Sequence, residues 1–244
     1  MTFSIAARCP RNGMLGVATS SKALGAGGMV PYIRPGAGAI ASQSFVNPYL
    51  GIDGLTLLSQ GLAAERVLER LIEGDPGRDL RQCAIVDNAG RTAAHTGARC
   101  IPWAGHVLGG GYVCLGNILV GDGVVQAMAT AFERSAEEEL PERLMLALEA
   151  GQGAGGDRRG RQSAGITVYA EEEYPWLDIR VDDHADPVPE LRRVLEVWKR
   201  EELPYARVNP RRGDYIPHWG DVMRVRDEIE QELDEKEREA VKER

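Results

Sequence analysis

The chain has 244 residues, an ordinary apolar share of 43% and a formal net charge of −8. That length suits one sizeable core, or a main domain of about 150 to 180 residues with an appendage. Residues 221–244 carry ten acidic and six basic residues, a net of −4, so the body is only mildly acidic and offers no basic field for gathering nucleic acid.

In chain order, residues 2–8 read as a short apolar strand, followed by a Pro-Arg-Asn-Gly turn at 10–13 and a second strand at 14–20. Residues 36–44 form a third strand of small side chains. Leu55, Leu58, Leu62, Val67 and Leu71 recur at helical spacing over 51–71, with a break at Gly61 and a second short helix at 63–73. Strands are predicted at 82–87 and 91–96 around an Asn-Ala-Gly turn, and again at 111–119. Helices follow at 123–136 and 140–152, then a Gly-rich loop at 151–156, a strand at 163–169 and a partner at 176–181. Strand pairs separated by helix pairs point to antiparallel sheets with helices outside, and away from a doubly wound parallel sheet.

The character changes near Asp186, where Pro187-Val188-Pro189 sets a boundary. The reading is therefore a main domain over 1–183 and a small helical C-terminal module over 184–244. Within the module, 190–201 has one apolar helical face and 203–219 is irregular. Val222, Val225, Ile229 and Leu233 mark a last amphipathic helix, expected to pack on the body or on a second copy in a homo-oligomer.

Chemistry begins at Thr2. Removal of Met1 would leave an α-amine and a hydroxyl on one residue. An α-amine with an ordinary pKa of about 7.7 to 8.0 can accept the hydroxyl proton near neutral pH. A strand starting at residue 2 holds the terminus in a sheet, whereas ordinary termini fray. The hairpin brings Ser20-Ser21-Lys22 opposite this residue, so Ser21 is a candidate partner for the amine. Gln43 ends the third strand and Asn117 follows Gly116; each side-chain amide could donate to an oxyanion, and Gln43 could orient a substrate amide. The segment 153–163 lacks the spacing of a phosphate-binding P-loop. It is read as a loop carrying Asp157 and Ser163 to a site, with Arg158, Arg159 and Arg161 favouring an anionic substrate. His95 is a candidate base or substrate contact, but with no motif partner it reads more readily as a structural histidine.

His106, His184 and His218 have no metal-ligand spacing, and Cys9, Cys83, Cys100 and Cys114 match no zinc signature, so neither metal nor cofactor is expected. No charged and apolar leader precedes the first strand, and no apolar run approaches the length of a membrane span, so a cytoplasmic protein is expected.

The stretches Thr-Phe-Ser-Ile-Ala-Ala-Arg, Leu-Gly-Val-Ala-Thr-Ser-Ser-Lys, Gly-Ala-Ile-Ala-Ser-Gln, Ala-Ala-His-Thr-Gly, Gly-Asn-Ile-Leu and Ala-Gly-Gly-Asp-Arg-Arg-Gly-Arg-Gln-Ser-Ala occur together here. From Thr2 to about Tyr169 the chain resembles the domain-of-unknown-function family 1028, assigned to the N-terminal-nucleophile (Ntn) hydrolases. Residues 186–219 look like a small module that this family carries under a peptidoglycan-binding label.

The resemblance implies an α+β fold, a four-layer αββα sandwich of two antiparallel sheets, with Thr2 at the nucleophile position. It implies that Asp157 and Ser163 are similar to the Asp and Ser near the threonine of proteasome subunits, although the spacing here is longer. The lysine that assists the proteasomal threonine falls near Gln43, which carries no charge. Ser21 and Asp157 are then the candidates for holding the amine. The expected activity is hydrolysis of a small amide, an acylated amino acid or a peptide through an acyl-enzyme on Thr2. The alternative is a non-catalytic binding or assembly protein on the same fold.

Overall fold

A computed structural model describes residues 2–215 and 219–242. Met1 and His218, both considered above, lie outside the described residues. Two compact units divide the chain, one running through Leu191 and the other starting at Arg192.

The first unit opens with β1 (Thr2–Arg8) and β2 (Leu15–Ser21), an antiparallel hairpin in which Phe3 faces Ser20 and Arg8 faces Leu15. Gly13 turns it with φ +75°, a conformation that glycine adopts without steric cost. β3 (Pro31–Arg34) and β4 (Gly38–Ser44) follow, then α1 (Pro48–Ser59) and α2 (Ala64–Gly74). Next come β5 (Arg81–Asp87), β6 (Thr92–Thr96), β7 (Gly105–Gly109) and β8 (Tyr112–Asn117). The unit continues with α3 (Gly123–Arg134), α4 (Leu140–Gly153), β9 (Ser163–Tyr169) and β10 (Leu177–Val181).

These strands make two antiparallel sheets. The larger has the order β10-β9-β2-β1-β8-β7 and the smaller β3-β4-β5-β6. β1 is central to the larger sheet and buried from Thr2 to Ala7, which explains its unbroken apolar and small-residue run. β10, at the edge, alternates buried Leu177, Ile179 and Val181 with exposed Asp178 and Arg180.

One apolar cluster joins Ala6, Leu15, Val17, Val113 and Leu115 of the larger sheet to Ala39, Ala41, Ala84 and Val86 of the smaller. A second joins Ile40, Cys83, Ile85 and Ala93 to Leu50, Leu55 and Leu58 of α1 and to Ala64, Val67 and Leu71 of α2. α3 and α4 pack on the larger sheet: Leu144 and Leu140 crowd the open face of Gly16, and Met128 meets Gly151 beside Phe3.

Three elements differ from the sequence reading. α1 begins at Pro48 rather than at residue 51, with Asn47 capping Tyr49 N–H. The break at Gly61, at φ +87°, falls between α1 and α2 where the sequence puts it. Strands β3 and β7 were not expected; both lie at sheet edges, are short, and lack a continuous apolar signature.

The Pro187–Pro189 stretch, read from the sequence as a boundary, is helical. It forms the first turn of α5 (Pro187–Glu201), where a helix leaves its N–H groups unpaired and proline is tolerated. α6 (Leu203–Val208) lies in the stretch read as irregular, with Pro204 in its first turn.

In the second unit α6 packs on α7 (Trp219–Lys242). Val222, Val225 and Ile229 are buried in the single chain, and the side chain of Leu233, the fourth residue of the stripe, lies outside the described residues. Among the described residues no helix is long and apolar enough to cross a membrane, and no group of three or more His, Cys, Asp or Glu is arranged to hold a metal.

Candidate active site

The larger sheet places Thr2 at the beginning of β1, between the ends of β2 and β8. The β1–β2 register sets Ser21 next to it, and the β1–β8 register pairs it with Asn117. Thr2 Oγ1 lies 3.2 Å from Ser21 Oγ. Thr2 is only 6% exposed, and Ser21 and Asn117 are buried, so the strand end is held by neighbours on both sides.

Gln43 comes from the smaller sheet. Its Nε2 donates to the Thr2 carbonyl at 3.3 Å and to Gln82 Oε1 at 2.8 Å. Ser4, two residues along β1 on the same face as Thr2, donates to Gln43 Oε1 at 2.6 Å and lies 2.8 Å from Thr19 Oγ1. Asn117 Nδ2 donates to Gln82 Oε1 at 3.0 Å. Gln82 Nε2 in turn reaches Gly116 O at 2.8 Å, and Thr96 Oγ1 and Gly105 O at 3.0 Å each. Thr2, Ser21, Asn117 and Gln43 are thus brought together, with a buried band of amides and hydroxyls between the sheets behind them.

Among the described residues, two that are not glycine adopt left-handed backbone, Ser44 at φ +69° and Ile118 at φ +51°. They directly follow Gln43 and Asn117. For a β-branched residue this geometry is strained, and such residues persist where surrounding structure overrides the cost. At Ile118 the neighbours are clear: its N–H donates to Ile101 O at 2.9 Å, and its carbonyl accepts from Arg158 N–H at 3.2 Å. Leu119 then bridges to Asp157. The turn after Asn117 is therefore tied to the loop that carries Asp157.

Asp157 is buried, and its carboxylate is occupied by that loop and the end of β2. It accepts from Lys22 N–H at 2.9 Å and from Arg159 N–H at 2.8 Å, and pairs with the Arg159 guanidinium at 3.3 Å. Its hydrogen bonds fix the residue after Ser21, and none of them reaches Thr2. Ser163 pairs with Ser21 in the β2–β9 register, but its hydroxyl donates to Ala23 O at 2.6 Å and accepts from Ala26 N–H at 3.1 Å. It pins the turn after β2.

Arg159 is held by Asp157 and Arg161 by Asp186. Arg158 is exposed beside Asp157. His95 stands apart from the site. Ala93 and Ala94 face opposite sides of β6, which puts His95 on the helix side and Thr96 on the side of Gln82. His95 Nε2 meets Arg78 O at 2.8 Å, a structural contact.

Charged chemistry is scarce near Thr2. Burial pushes the Cys83 thiol up to about 12 and raises Cys114 as well, so neither supplies a thiolate. His106, whose Nδ1 lies 2.9 Å from Thr96 Oγ1, is held below the ordinary histidine value by burial and then by the nearby charge of His95.

Three buried members of the band carried no assigned role in the sequence reading: Ser4, Thr19 and Gln82. A signal existed. A glutamine inside an otherwise apolar strand is a buried amide, and a buried amide requires partners.

Known proteins bear on this arrangement. A crystal structure from Silicibacter pomeroyi, itself described as family DUF1028, is 31% identical, with a TM-score of 0.81 over 88% of this chain and 98% of that one. The Anbu (ancestral beta-subunit) protein from Yersinia bercovieri matches at 12% identity and TM-score 0.39, over 80% of this chain and 93% of that one. An Anbu Gly-1 mutant from Hyphomicrobium sp. strain MC1 matches at 12% identity and TM-score 0.40, over 82% of this chain and 96% of that one. Both superpositions are too loose to align a site residue. No curated protein matches the chain. The model of a family of unknown function, DUF1028, matches residues 2–191, the whole of the first unit but its first residue, and the chain belongs to that family.

Proposed function

We propose that the first unit is an Ntn amidohydrolase built as a four-layer αββα sandwich, with Thr2 as nucleophile after loss of Met1. The apolar clusters support the layering: α1 and α2 on the smaller sheet, that sheet on the larger, and α3 and α4 beyond. The observation that carries the catalytic reading is the buried Thr2 hydroxyl, 3.2 Å from Ser21 Oγ at the start of a central strand.

In this reading Thr2 Oγ1 attacks the amide carbonyl carbon, and its proton passes to the Thr2 α-amine directly or through one water. Ser21 orients the hydroxyl. Asn117 donates to the oxyanion, and Gln43 holds the Thr2 carbonyl and with it the backbone of the nucleophile. The tetrahedral intermediate collapses, the C–N bond breaks, and the leaving amine takes the proton back from the α-ammonium. Water then attacks the ester, releasing the acid and restoring Thr2. Asp157 and Ser163 act at one remove, by fixing the chain on either side of Ser21. The substrate is a small amide, an acylated amino acid or a peptide. Exposed Arg158 favours one with a carboxylate, and Arg159, already paired, contributes less.

Intact mass of the purified protein should show Met1 absent. Thr2→Ala should lose hydrolysis across a panel of acyl-amides by at least about 10³-fold, with an unchanged unfolding midpoint. Thr2→Ser should retain part of it. Full activity in Thr2→Ala would overturn the mechanism. Retained Met1 in an active preparation would do the same, since hydroxyl and α-amine would then belong to different residues.

A further inference from the structure

Gln82 is fully buried on β5, directly opposite Gln43 in the smaller sheet, yet most of its hydrogen bonds cross to the larger one. Its amide can sit only one way round. Gly105 O and Gly116 O are carbonyl oxygens and can only accept, so the NH₂ end must face them. The Oε1 end therefore faces Gln43 and Asn117, and both must present N–H to it.

The consequences differ for the two amides. Gln43 is oriented twice, because the Thr2 carbonyl also demands its NH₂ end. Ser4 then gives its single proton to Gln43 Oε1, and the 2.8 Å contact with Thr19 is made with the threonine proton. Asn117 is oriented by Gln82 alone among the side-chain hydrogen bonds described for it. One Nδ2 proton goes to Gln82. The other is the proton an oxyanion at Thr2 would accept.

From this we infer that Gln82 is a positioning residue of the Thr2 site. It sets which end of the Asn117 amide is the donor, and it couples that choice across the two sheets to Gln43 and the Thr2 backbone. The inference rests on the Thr2 reading above. An asparagine with nothing to orient it presents its oxygen as readily as its nitrogen, and an oxygen there repels the developing oxyanion.

The test uses 4-nitrophenyl acetate on the full chain. Thr2 Oγ attacks the ester, an acetyl ester forms on Thr2, and 4-nitrophenolate leaves. Peptide mass mapping locates the acetyl group, and its loss in neutral hydroxylamine distinguishes an ester from an amide on the α-amine. Gln82→Met keeps the volume and removes every hydrogen bond. It should slow acylation about 10- to 100-fold, within the range for loss of one oxyanion donor or its aim.

Asn117→Ala should slow it similarly, and the double variant should be no slower than the worse single one, because both remove the same donor. The pH dependence set by the Thr2 amine should not move in either. Gln82→Glu is the second variant. A protonated buried carboxyl can still accept from Asn117 and donate to one carbonyl, so its acylation should stay near wild type at lower pH. It should fall relative to wild type as the group ionises, because a carboxylate has no proton for Gly105 O or Gly116 O and is repelled from its place between them and Asn117.

Independently of turnover, the Asn117 side-chain amide protons should exchange slowly in the wild type and fast in Gln82→Met by NMR. Wild-type acylation at Thr2 combined with additive losses in the double variant would overturn the role of Gln82 and leave the Thr2 mechanism standing. So would slow Asn117 exchange in Gln82→Met. Wild-type protein that takes no acetyl ester at Thr2 would overturn the underlying mechanism, and the catalytic part of this inference with it. The exchange result would still decide whether Gln82 orients Asn117.

Discussion

At the scale of single residues, the polar groups behind Thr2 are almost all neutral amides and hydroxyls. Neutral donors can be buried with one or two hydrogen bonds, whereas a buried cation would need an anion beside it. That chemistry suits a site whose base is the α-amine itself. The charged residues are used a short distance away, to lock loops. Asp75 accepts from Asn47 Nδ2 at 3.0 Å, Arg81 Nε at 2.9 Å and Gly77 N–H at 2.7 Å, and so fastens the segment after β4 to the start of β5. Burial pushes its carboxyl upward, but the hydrogen bonds from Asn47 and Arg81 outweigh this and leave it below the ordinary aspartate value. The folded state therefore binds fewer protons than the unfolded chain in acid. The contribution of Asp75 is fully present above its unfolded value of about 3.9 and is lost as pH falls through the lower folded value. Urea unfolding of Asp75→Asn should show a lower midpoint than wild type at pH 7. The gap should narrow in acid, below about pH 4.

At the scale of elements, close approach decides which glycines matter. Gly51, on the buried face of α1, packs on the ring of Tyr32 in β3, and a Cβ there would lie 2.1 Å from the Tyr32 Cγ. Alanine gains about 1 kcal/mol of helix propensity over glycine. Overpacking costs about 1 to 3 kcal/mol, and this contact reaches the base of the ring, which cannot swing away as a side-chain tip would. The clash should win. Gly51→Ala is expected to lose about 1 to 2 kcal/mol in denaturant titration. Adding Tyr32→Ala should recover part of that loss, a non-additivity that ties the effect to this one contact.

At the scale of the whole molecule, none of the residues held around Thr2 lies beyond Ser163, and the family match ends at Leu191. A chain stopped after Glu201, at the end of α5, should therefore keep Thr2 acetylation by 4-nitrophenyl acetate within about twofold of the full chain. A larger loss would give the second unit a part in the site. The same comparison by sedimentation velocity tests self-association, one of the two roles expected from the apolar stripe, whose Val222, Val225 and Ile229 are buried within the chain.

The sequence by itself determined the order of most elements. The β1–β2 hairpin follows from Asn12-Gly13 between two apolar runs, and its register is enough to bring Ser21 to Thr2. Local signals of this kind act over a few residues and can be read along the chain. The strands β3 and β7 could not be read this way, because both are only partly buried along their length and so lack the alternation that marks the edge strand β10. Nor could the fates of His95, Asp157 and Ser163: period-2 alternation turned His95 away, and loop contacts occupied the other two. Gln82 is the clearest case. Its neighbours in the band come from β4 and β6, beside it in the smaller sheet, and from β7 and β8, which only packing one sheet on the other brings within 3.0 Å of the same amide. A buried amide has to satisfy its donors and acceptor wherever the fold puts it, so its partners, and through them the aim of Asn117, were decided by tertiary structure.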